Sequence, residues 1–202
     1  MASSPDLEGI KVQTEVLAGH PAHMILSFAQ DHPVDLIVMC SHGASGFKRW
    51  VMGSVAQKVV RHSSVPTLVL REGTSLPISP HPQEAGSIQV MVALDGSALA
   101  ETVLVPAAYL SAALSAPAQG VLHLVRVLPI PEVESDLPEM ATLERNEVAA
   151  AASRQATAAG KDYLRTVVQR LHEGDLASLH LVSTSSVALN ADVAVTLIQL
   201  VH

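Results

Sequence analysis

The feature that most constrains the fold of this chain is a glycine-rich turn that joins an apolar run to a segment of helical periodicity. The run 34–39 is short and rich in β-branched residues, which predicts a strand, and residues 51–62 carry apolar side chains at helical spacing. The turn between them contains Gly43, Gly46 and Gly53. This order is typical of open parallel α/β sheets, where such a turn presents backbone N–H groups to an anion.

Glycines at this position also serve tight turns that bind nothing, and by themselves they leave both alternatives open. The neighbouring residues carry a more specific signal. Cys40 is followed after two residues by Gly43, and Gly43 is followed after nine by Gly53 and Ser54. Together with residues 54–70, this segment resembles the phosphate loop, last helix and last strand of the universal stress protein family. The family has a glycine where this chain has Cys40, so a side chain here narrows the approach to a triphosphate.

A second segment, residues 88–97, resembles the first strand and following turn of the same family. Asp95 ends that strand, and the resemblance implies that it contacts the adenosine part of ATP. From the residues alone, the sequence Asp-Gly-Ser favours a helix N-cap or a turn. The two roles are compatible, and both stay open.

The resemblance implies an α/β fold, an open parallel-sheet Rossmann-like sandwich of the adenine nucleotide alpha hydrolase-like type. It also implies that the ligand is ATP, with or without Mg. The phosphate and ribose would be held by Gly43, Gly46, Gly53, Ser54 and Val55. The adenosine pocket would be lined by Ala93, Asp95 and Val127, and the predicted site includes Met39 and Cys40 at the end of the preceding strand.

The two resembling segments stand in an unusual order along the chain. Residues 1–73 look like the C-terminal half of one family module, and residues 88–202 look like the N-terminal half of a second. Residues 74–87, which contain three prolines, are expected to form a linker. In the second half we expect strands near 88–94, 121–128 and 178–182, and helices near 98–114, 139–172 and 192–201.

The halves are complementary, which leads to two hypotheses. In one, they form a single composite domain in which residues 88–94 pair beside residues 34–39 and bring Asp95 next to Gly43. In the other, the chain is a truncated piece of a tandem protein. Residues 12–18 and 178–182 resemble the same edge strand, so one of them would be left as an unpaired edge.

Composition and charge exclude several classes of protein. A net charge of −7 without an apparent basic face argues against nucleic acid as a partner. Residues 102–125 lack Lys, Arg, Asp and Glu, but Pro106, Pro117 and Gly120 interrupt them, so a helix and a buried strand are favoured over a membrane span. A single cysteine and no visible signal peptide indicate a cytoplasmic protein. We expect Cys40 to be a small buried residue.

Little in the sequence indicates metal binding or catalysis. His20 and His23 form a close pair, yet they have no Cys or acidic partners at ligand spacing, so we predict no metal site. No acid/base pair or oriented nucleophile can be identified, and therefore no catalytic residue is predicted. We interpret Ser41 and Ser54 as hydroxyl donors to phosphate oxygens.

The sequence therefore predicts a stress-response or signalling module that binds an adenine nucleotide and forms a homodimer. A competing hypothesis is an interaction protein that binds no nucleotide and dimerises through a strand near residues 66–70. A third hypothesis is a slow ATP hydrolase or an autophosphorylating protein, but no residue in the sequence requires it. Within residues 129–170, an acidic stretch followed by a helix is either a lid or partner surface, or simply a solvated face.

Overall fold

The computed structural model describes residues 11–41, 52–71, 86–131, 142–179 and 181–200. The chain divides into two compact units, Met1–Leu76 and Pro77–His202, and the boundary lies within the expected linker. Each unit contains its own parallel sheet flanked by helices, which confirms the predicted open parallel α/β fold. The hypothesis that the two halves complete one domain stays a prediction.

The described residues of the first unit form two helices and two short strands. In chain order these are α1 (Pro21–Asp31), β1 (Ile37–Cys40), α2 (Ser54–His62) and β2 (Thr67–Leu70). The strands are parallel, with Ile37 opposite Thr67 and Cys40 opposite Leu70. Proline begins α1, a position where its missing N–H costs no intrahelical hydrogen bond. The buried side chains on the two helices are small: Ala22, Ala29, Ala56 and Val59.

Two predictions for this unit need correction. The strand expected at residues 34–39 begins later, because the Val34 N–H donates to the His32 carbonyl in a turn, at 2.8 Å. Pairing with the neighbouring strand starts where the Ile37 N–H donates to the Pro66 carbonyl, at 3.0 Å. The edge strand expected at residues 12–18 is wrong, since this stretch forms no strand and its side chains are exposed. A strand needs a neighbouring strand to hydrogen-bond its N–H and C=O groups, and the weak apolar alternation of residues 12–18 does not form a strand without one.

In the second unit, the described residues form a three-stranded parallel sheet with helices. Its strands are β3 (Gln89–Ala93), β4 (Gly120–Leu128) and β5 (Leu181–Leu189), and β4 lies in the middle. Gln89 lies opposite Val121, and Gly120 lies opposite Leu181. The connections contain α3 (Ala98–Glu101), α4 (Leu104–Ser115), α5 (Thr142–Glu173) and a 3-10 turn (Asp175–Ser178), and α6 (Val193–Leu200) follows β5.

The sequence predicted the order of these elements correctly but missed two details. The helix expected at 98–114 is divided into α3 and α4, because Pro106 in a continuous helix would press its ring against the Thr102 carbonyl. The strand expected at 178–182 extends to Leu189. Its central residues, Ser183 to Ser186, are polar, which conceals a strand from an apolarity pattern.

The core of the second unit lies between the sheet and the helices α4 and α5. Its fully buried members include Leu122 and Leu124 of β4 and Leu164 of α5. Gly120 allows α4 to approach closely, since a Cβ atom there would lie 2.7 Å from the Ser111 carbonyl oxygen. The helical run Ala98–Ser115 is long and apolar enough to cross a membrane by length and composition. Helices that pack in the cores of soluble proteins share these two properties. Its Leu104, Ala107 and Ala108 belong to this core.

Candidate functional site

In the first unit, backbone hydrogen bonds hold together the two ends of the glycine-rich loop. The Ser41 N–H donates to the Leu70 carbonyl at 2.7 Å and so extends the β1–β2 pairing by one residue. The Ser41 carbonyl accepts from the Gly53 N–H at 2.8 Å, directly before α2. The residues that flank the loop, Ser41 and Gly53, therefore lie side by side at the carboxyl ends of two parallel strands. Residues 42–51, which include Gly43 and Gly46, lie outside the described residues.

The start of α2 offers backbone donors. Gly53 is the N-cap residue, and it has no side chain with which to cap the helix. Ser54 and Val55 occupy the first turn, whose N–H groups have no intrahelical acceptors. The positive end of the helix dipole and these N–H groups make the position suitable for an anion.

Met39 and Cys40, the last residues of β1, differ in their surroundings. Met39 is half-buried, whereas Cys40 is exposed. The expectation of a buried Cys40 is therefore wrong. Successive side chains of a strand point to opposite faces, and Cys40 shares its exposed face with Val38.

In the second unit, Asp95 follows β3 at the carboxyl edge of the sheet. Its Oδ1 atom accepts a hydrogen bond from the Ser97 N–H at 2.8 Å, and the Ser97 Oγ accepts from the Ala100 N–H at 3.0 Å. Ser97 is thus the N-cap of α3, and Asp95 forms a turn that positions this cap. Hydrogen bonds from the Ser97 side chain and backbone lower the pKa of Asp95, so the exposed side chain is an ionised carboxylate at neutral pH.

Ala93 and Val127 lie at the same edge of this sheet as Asp95. Ala93 is the last residue of β3 and pairs with Val125, and Val127 follows two residues later in β4. Because side chains alternate along a strand, Ala93 and Val127 share the sheet face opposite to the one that bears Leu122 and Leu124. The structure thus places all three residues of the predicted adenosine pocket at the carboxyl edge of one sheet.

Arg126 is a residue of this edge that the sequence interpretation missed. Gly96 has a φ of 92°, and a Cβ atom there would lie 2.8 Å from a terminal nitrogen of Arg126. The guanidinium carbon lies 4.7 Å from the centre of the Tyr163 ring, and the buried Nε atom has no hydrogen-bond partner within the described ranges. The signal in the sequence was a single arginine near the end of a strand whose other residues, apart from His123, are apolar.

A hydrogen-bonded cluster beside Arg126 connects α3 with α5. Glu101 accepts from the Tyr163 hydroxyl at 2.9 Å and forms an ion pair with Arg170 at 2.7 Å. Arg170 lowers the pKa of Glu101. Burial and the hydrogen bond to Glu101 raise the pKa of Tyr163 to about 12. The cluster connects α5 to the short helix α3, whose N-cap residue Ser97 donates its N–H to Asp95.

The described residues contain no group of three or more His, Cys, Asp or Glu side chains arranged to hold a metal ion. The predicted site residues fall in two sets, one in each unit. Met39, Cys40, Gly53, Ser54 and Val55 lie in the first unit, and Ala93, Asp95 and Val127 lie in the second. Each set lies at the carboxyl ends of parallel strands, where open α/β sheets bind ligands.

Comparison with known proteins identifies the relatives of this chain. The family described as "Universal stress protein family" matches residues 2–71. Universal stress protein MJ0531 of Methanocaldococcus jannaschii is 42% identical over 64 residues, which are 32% of this chain and 38% of that protein. Universal stress protein YxiE of Bacillus subtilis is 42% identical over 64 residues, 32% of this chain and 43% of that protein.

A third relative gives a similar result. Universal stress protein MJ0577 of Methanocaldococcus jannaschii is 37% identical over 67 residues, 33% of this chain and 41% of that protein. The chain thus spans less than half the length of each of these three relatives. Residues 2–71 of this chain are therefore similar to the universal stress protein family, and the resemblance inferred from the sequence is confirmed over this segment.

Proposed function

We propose that this chain binds an adenine nucleotide, ATP with or without Mg, and acts as a stress-response or signalling module. The stress-response role is supported by its relatives, each of which is called a universal stress protein. The same proposal includes a cytoplasmic homodimer with neither nucleic acid nor membrane as a partner.

The observation that carries the nucleotide proposal is the setting of Asp95. Its carboxylate is exposed, ionised and held in one orientation by Ser97 at the carboxyl edge of a parallel sheet. A carboxylate accepts hydrogen bonds only, so it suits the hydroxyl groups of a ribose or the amino group of an adenine. Ala93 and Val127 offer apolar surface on the same edge for a flat base.

The first unit supports the phosphate side of the proposal. Gly53, Ser54 and Val55 would donate backbone N–H groups to phosphate and ribose oxygens, and the Ser54 hydroxyl would add one more donor. Gly43 and Gly46 would complete the loop, with Met39 and Cys40 at its base. These residues bind and orient a ligand, and the proposal assigns no catalytic residue.

The test is a calorimetric titration of the full chain with Mg-ATP. We expect saturable binding, and we expect Asp95→Asn to weaken it because the amide loses the charge but keeps the shape. The matched control is Asp175→Asn, since Asp175 precedes β5 and so lies at the opposite end of the sheet. Equal affinity of the Asp95→Asn variant and the wild type would reject the proposed role of Asp95.

Two further readouts come from the same samples. At about one hundred times the dissociation constant, ATP should raise the free energy of unfolding by about 2.7 kcal/mol. The number of nucleotides per chain, measured also for Ser54→Ala, shows whether residues of both units serve the same nucleotide. A folded chain that shows neither heat of binding nor stabilisation would refute nucleotide binding.

A second function, that of an interaction protein that binds no nucleotide, is favoured by one observation. Within the described residues β2 pairs with β1 alone, so its other edge has unpaired backbone groups to which a second copy can add. Sedimentation equilibrium of the wild type and of Thr67→Lys tests this interface. A dimer that the lysine converts to monomer, without any ATP binding by the wild type, would favour this function.

A further inference from the structure

The first unit contains an open groove between its two helices, and the proposed nucleotide contacts do not account for it. Its volume is about 600 Å³, which lies within the range of small-molecule sites. The start of α1 and nearly the whole length of α2 form its walls. Ser54 and Val55 reach one end of the groove, and the remainder is lined by other residues.

Basic side chains from both helices converge on this groove. His20 and His23 come from the start of α1, and Lys58, Arg61 and His62 come from α2. The α2 residues are spaced by three and four positions, which places them on one face of the helix. No carboxylate is found among the described residues that line the groove.

These basic groups have no protein partner in the described part of the chain. Lys58, Arg61 and the three histidines take part in no ion pair or side-chain hydrogen bond there. By contrast, Arg165 and Arg170 of α5 each pair with a carboxylate at 2.7 Å. A local concentration of unpaired positive charge in a protein of net charge −7 favours an anion as its occupant.

The chemistry of the groove favours a compact anion with several charged oxygens. A guanidinium matches two phosphate oxygens at once, and a lysine ammonium supplies a mobile point charge, so the pair suits neighbouring phosphate groups. The α2 wall is nine residues long, which corresponds to about 13 Å. A long polyanion would extend beyond this wall over an acidic protein and would be repelled.

We propose that the groove binds a short oligophosphate chain, held mainly by Lys58 and Arg61 and assisted by His20, His23 and His62. The source of the chain is either a free inorganic oligophosphate or the phosphate tail of a nucleotide. The proposal does not depend on adenosine recognition by Asp95, since Lys58, Arg61 and the histidines are not among the proposed nucleotide contacts.

The test is calorimetry of the full chain with inorganic tripolyphosphate at low and at physiological ionic strength. We expect saturable binding that weakens as salt is added. Removing both charges in Lys58→Ala/Arg61→Ala should weaken binding by about tenfold or more. Both side chains are exposed, so the fold should be retained, and circular dichroism checks this. Exchanging the two cations in Lys58→Arg/Arg61→Lys should preserve most of the affinity.

The matched control is Arg154→Ala/Lys161→Ala, which removes two exposed cations of α5 and changes the net charge equally. This control should bind tripolyphosphate like the wild type. Equal loss in both double variants would show a nonspecific charge effect and overturn the proposal. Unchanged binding by Lys58→Ala/Arg61→Ala, or tighter binding of a single-stranded oligonucleotide than of tripolyphosphate, would also overturn it.

Further arms of the experiment separate the two sources and the two proposals. If the groove holds a nucleotide tail, ATP competes with tripolyphosphate and adenosine does not. If only free oligophosphate is bound there, ATP does not compete. In both cases Lys58→Ala/Arg61→Ala weakens the binding of the phosphate chain by the same factor of about ten or more. Asp95→Asn should leave tripolyphosphate binding unchanged. A chain that binds tripolyphosphate through Lys58 and Arg61 but shows no ATP binding would refute the nucleotide function and support the groove.

Discussion

The two units differ in how much buried structure supports the strand ends that carry the proposed site residues. In the first unit β1 and β2 pair over four positions, and the buried apolar side chains on its helices are three alanines and one valine. In the second unit β4 pairs with β5 over nine positions and with β3 over five. Leucine and valine side chains fill the space between this sheet and its helices.

This difference indicates that the second unit is the more stable one. Hydrophobic stabilisation scales with the apolar area that is removed from water, and a pair of short strands is marginal by itself. Segments with few buried apolar contacts open at lower free energy than core strands. The proposed phosphate contacts therefore lie on the less stable unit, and the proposed adenosine contacts lie on the more stable one.

The largest effect is expected in the core of the second unit, from Leu124→Ala. Leu124 is fully buried in β4, and its truncation should lower the free energy of unfolding by about 3 kcal/mol, from lost burial and the cavity that remains. Urea denaturation followed by circular dichroism measures the change. Leu99→Ala is the control, because Leu99 is 81% exposed and should change stability by less than about 0.5 kcal/mol. Similar losses from both variants would contradict the assignment of the core.

A smaller effect is expected from Val59→Ala in the first unit. Val59 is fully buried on α2, and the loss of two methyl groups should cost about 2 kcal/mol. Hydrogen exchange should show the loss in β1, β2 and the helices of the first unit, while the amides of β4 stay protected. Val60→Ala, on the same helix but 46% exposed, should leave exchange unchanged. Earlier exchange in β4 than in β1 would reverse the proposed order of stability.

Gly96→Ala tests the edge of the second unit. The residue has a φ of 92°, and a Cβ atom would meet the Arg126 guanidinium at 2.8 Å. We expect a loss of about 1 to 2 kcal/mol in the free energy of unfolding, together with weaker ATP binding if Asp95 is displaced. Gly86→Ala is the matched control, since a Cβ atom there has open space around it and φ is not positive. Equal stability of the two variants would show that the turn tolerates a side chain.

The elements that the sequence predicted well are those whose signal is local. Residues 121–128 are rich in valine and leucine, and residues 139–172 have a sustained helical composition, so β4 and α5 were found with nearly correct ends. The sequence Asp-Gly-Ser predicted a turn or a helix N-cap at Asp95. Its role as an acceptor for the Ser97 N–H follows from the same local pattern.

The features that the sequence missed depend on neighbours distant in the chain. Residues 12–18 and 181–189 both alternate to some degree, but only the second lies beside β4, where it finds partners for its backbone groups. Arg126 approaches Gly96 and Tyr163, contacts that span 30 and 37 positions in sequence and leave no periodic signal. Cys40 is exposed because of the face that β1 presents, and a four-residue strand does not define its faces in the sequence.

The smallest expected effect is that of Glu101→Gln, which tests the cluster connecting α3 and α5 in the more stable unit. The wild-type carboxylate pairs with Arg170 and accepts from Tyr163, so the variant should lose about 1 kcal/mol at neutral pH. The pKa of Glu101 is lowered in the folded state, so its contribution is fully present above the ordinary value of 4.5 and disappears as pH falls through the folded-state value. Urea denaturation at neutral and acidic pH should therefore show the wild type and Glu101→Gln converging in stability below pH 4.5.

The control is Glu147→Gln, at an exposed position on α5, which should neither lower the stability at neutral pH nor change its pH dependence. A stability difference between Glu101→Gln and the wild type that persists in acid would mean that packing, and not the charge of Glu101, connects the two helices.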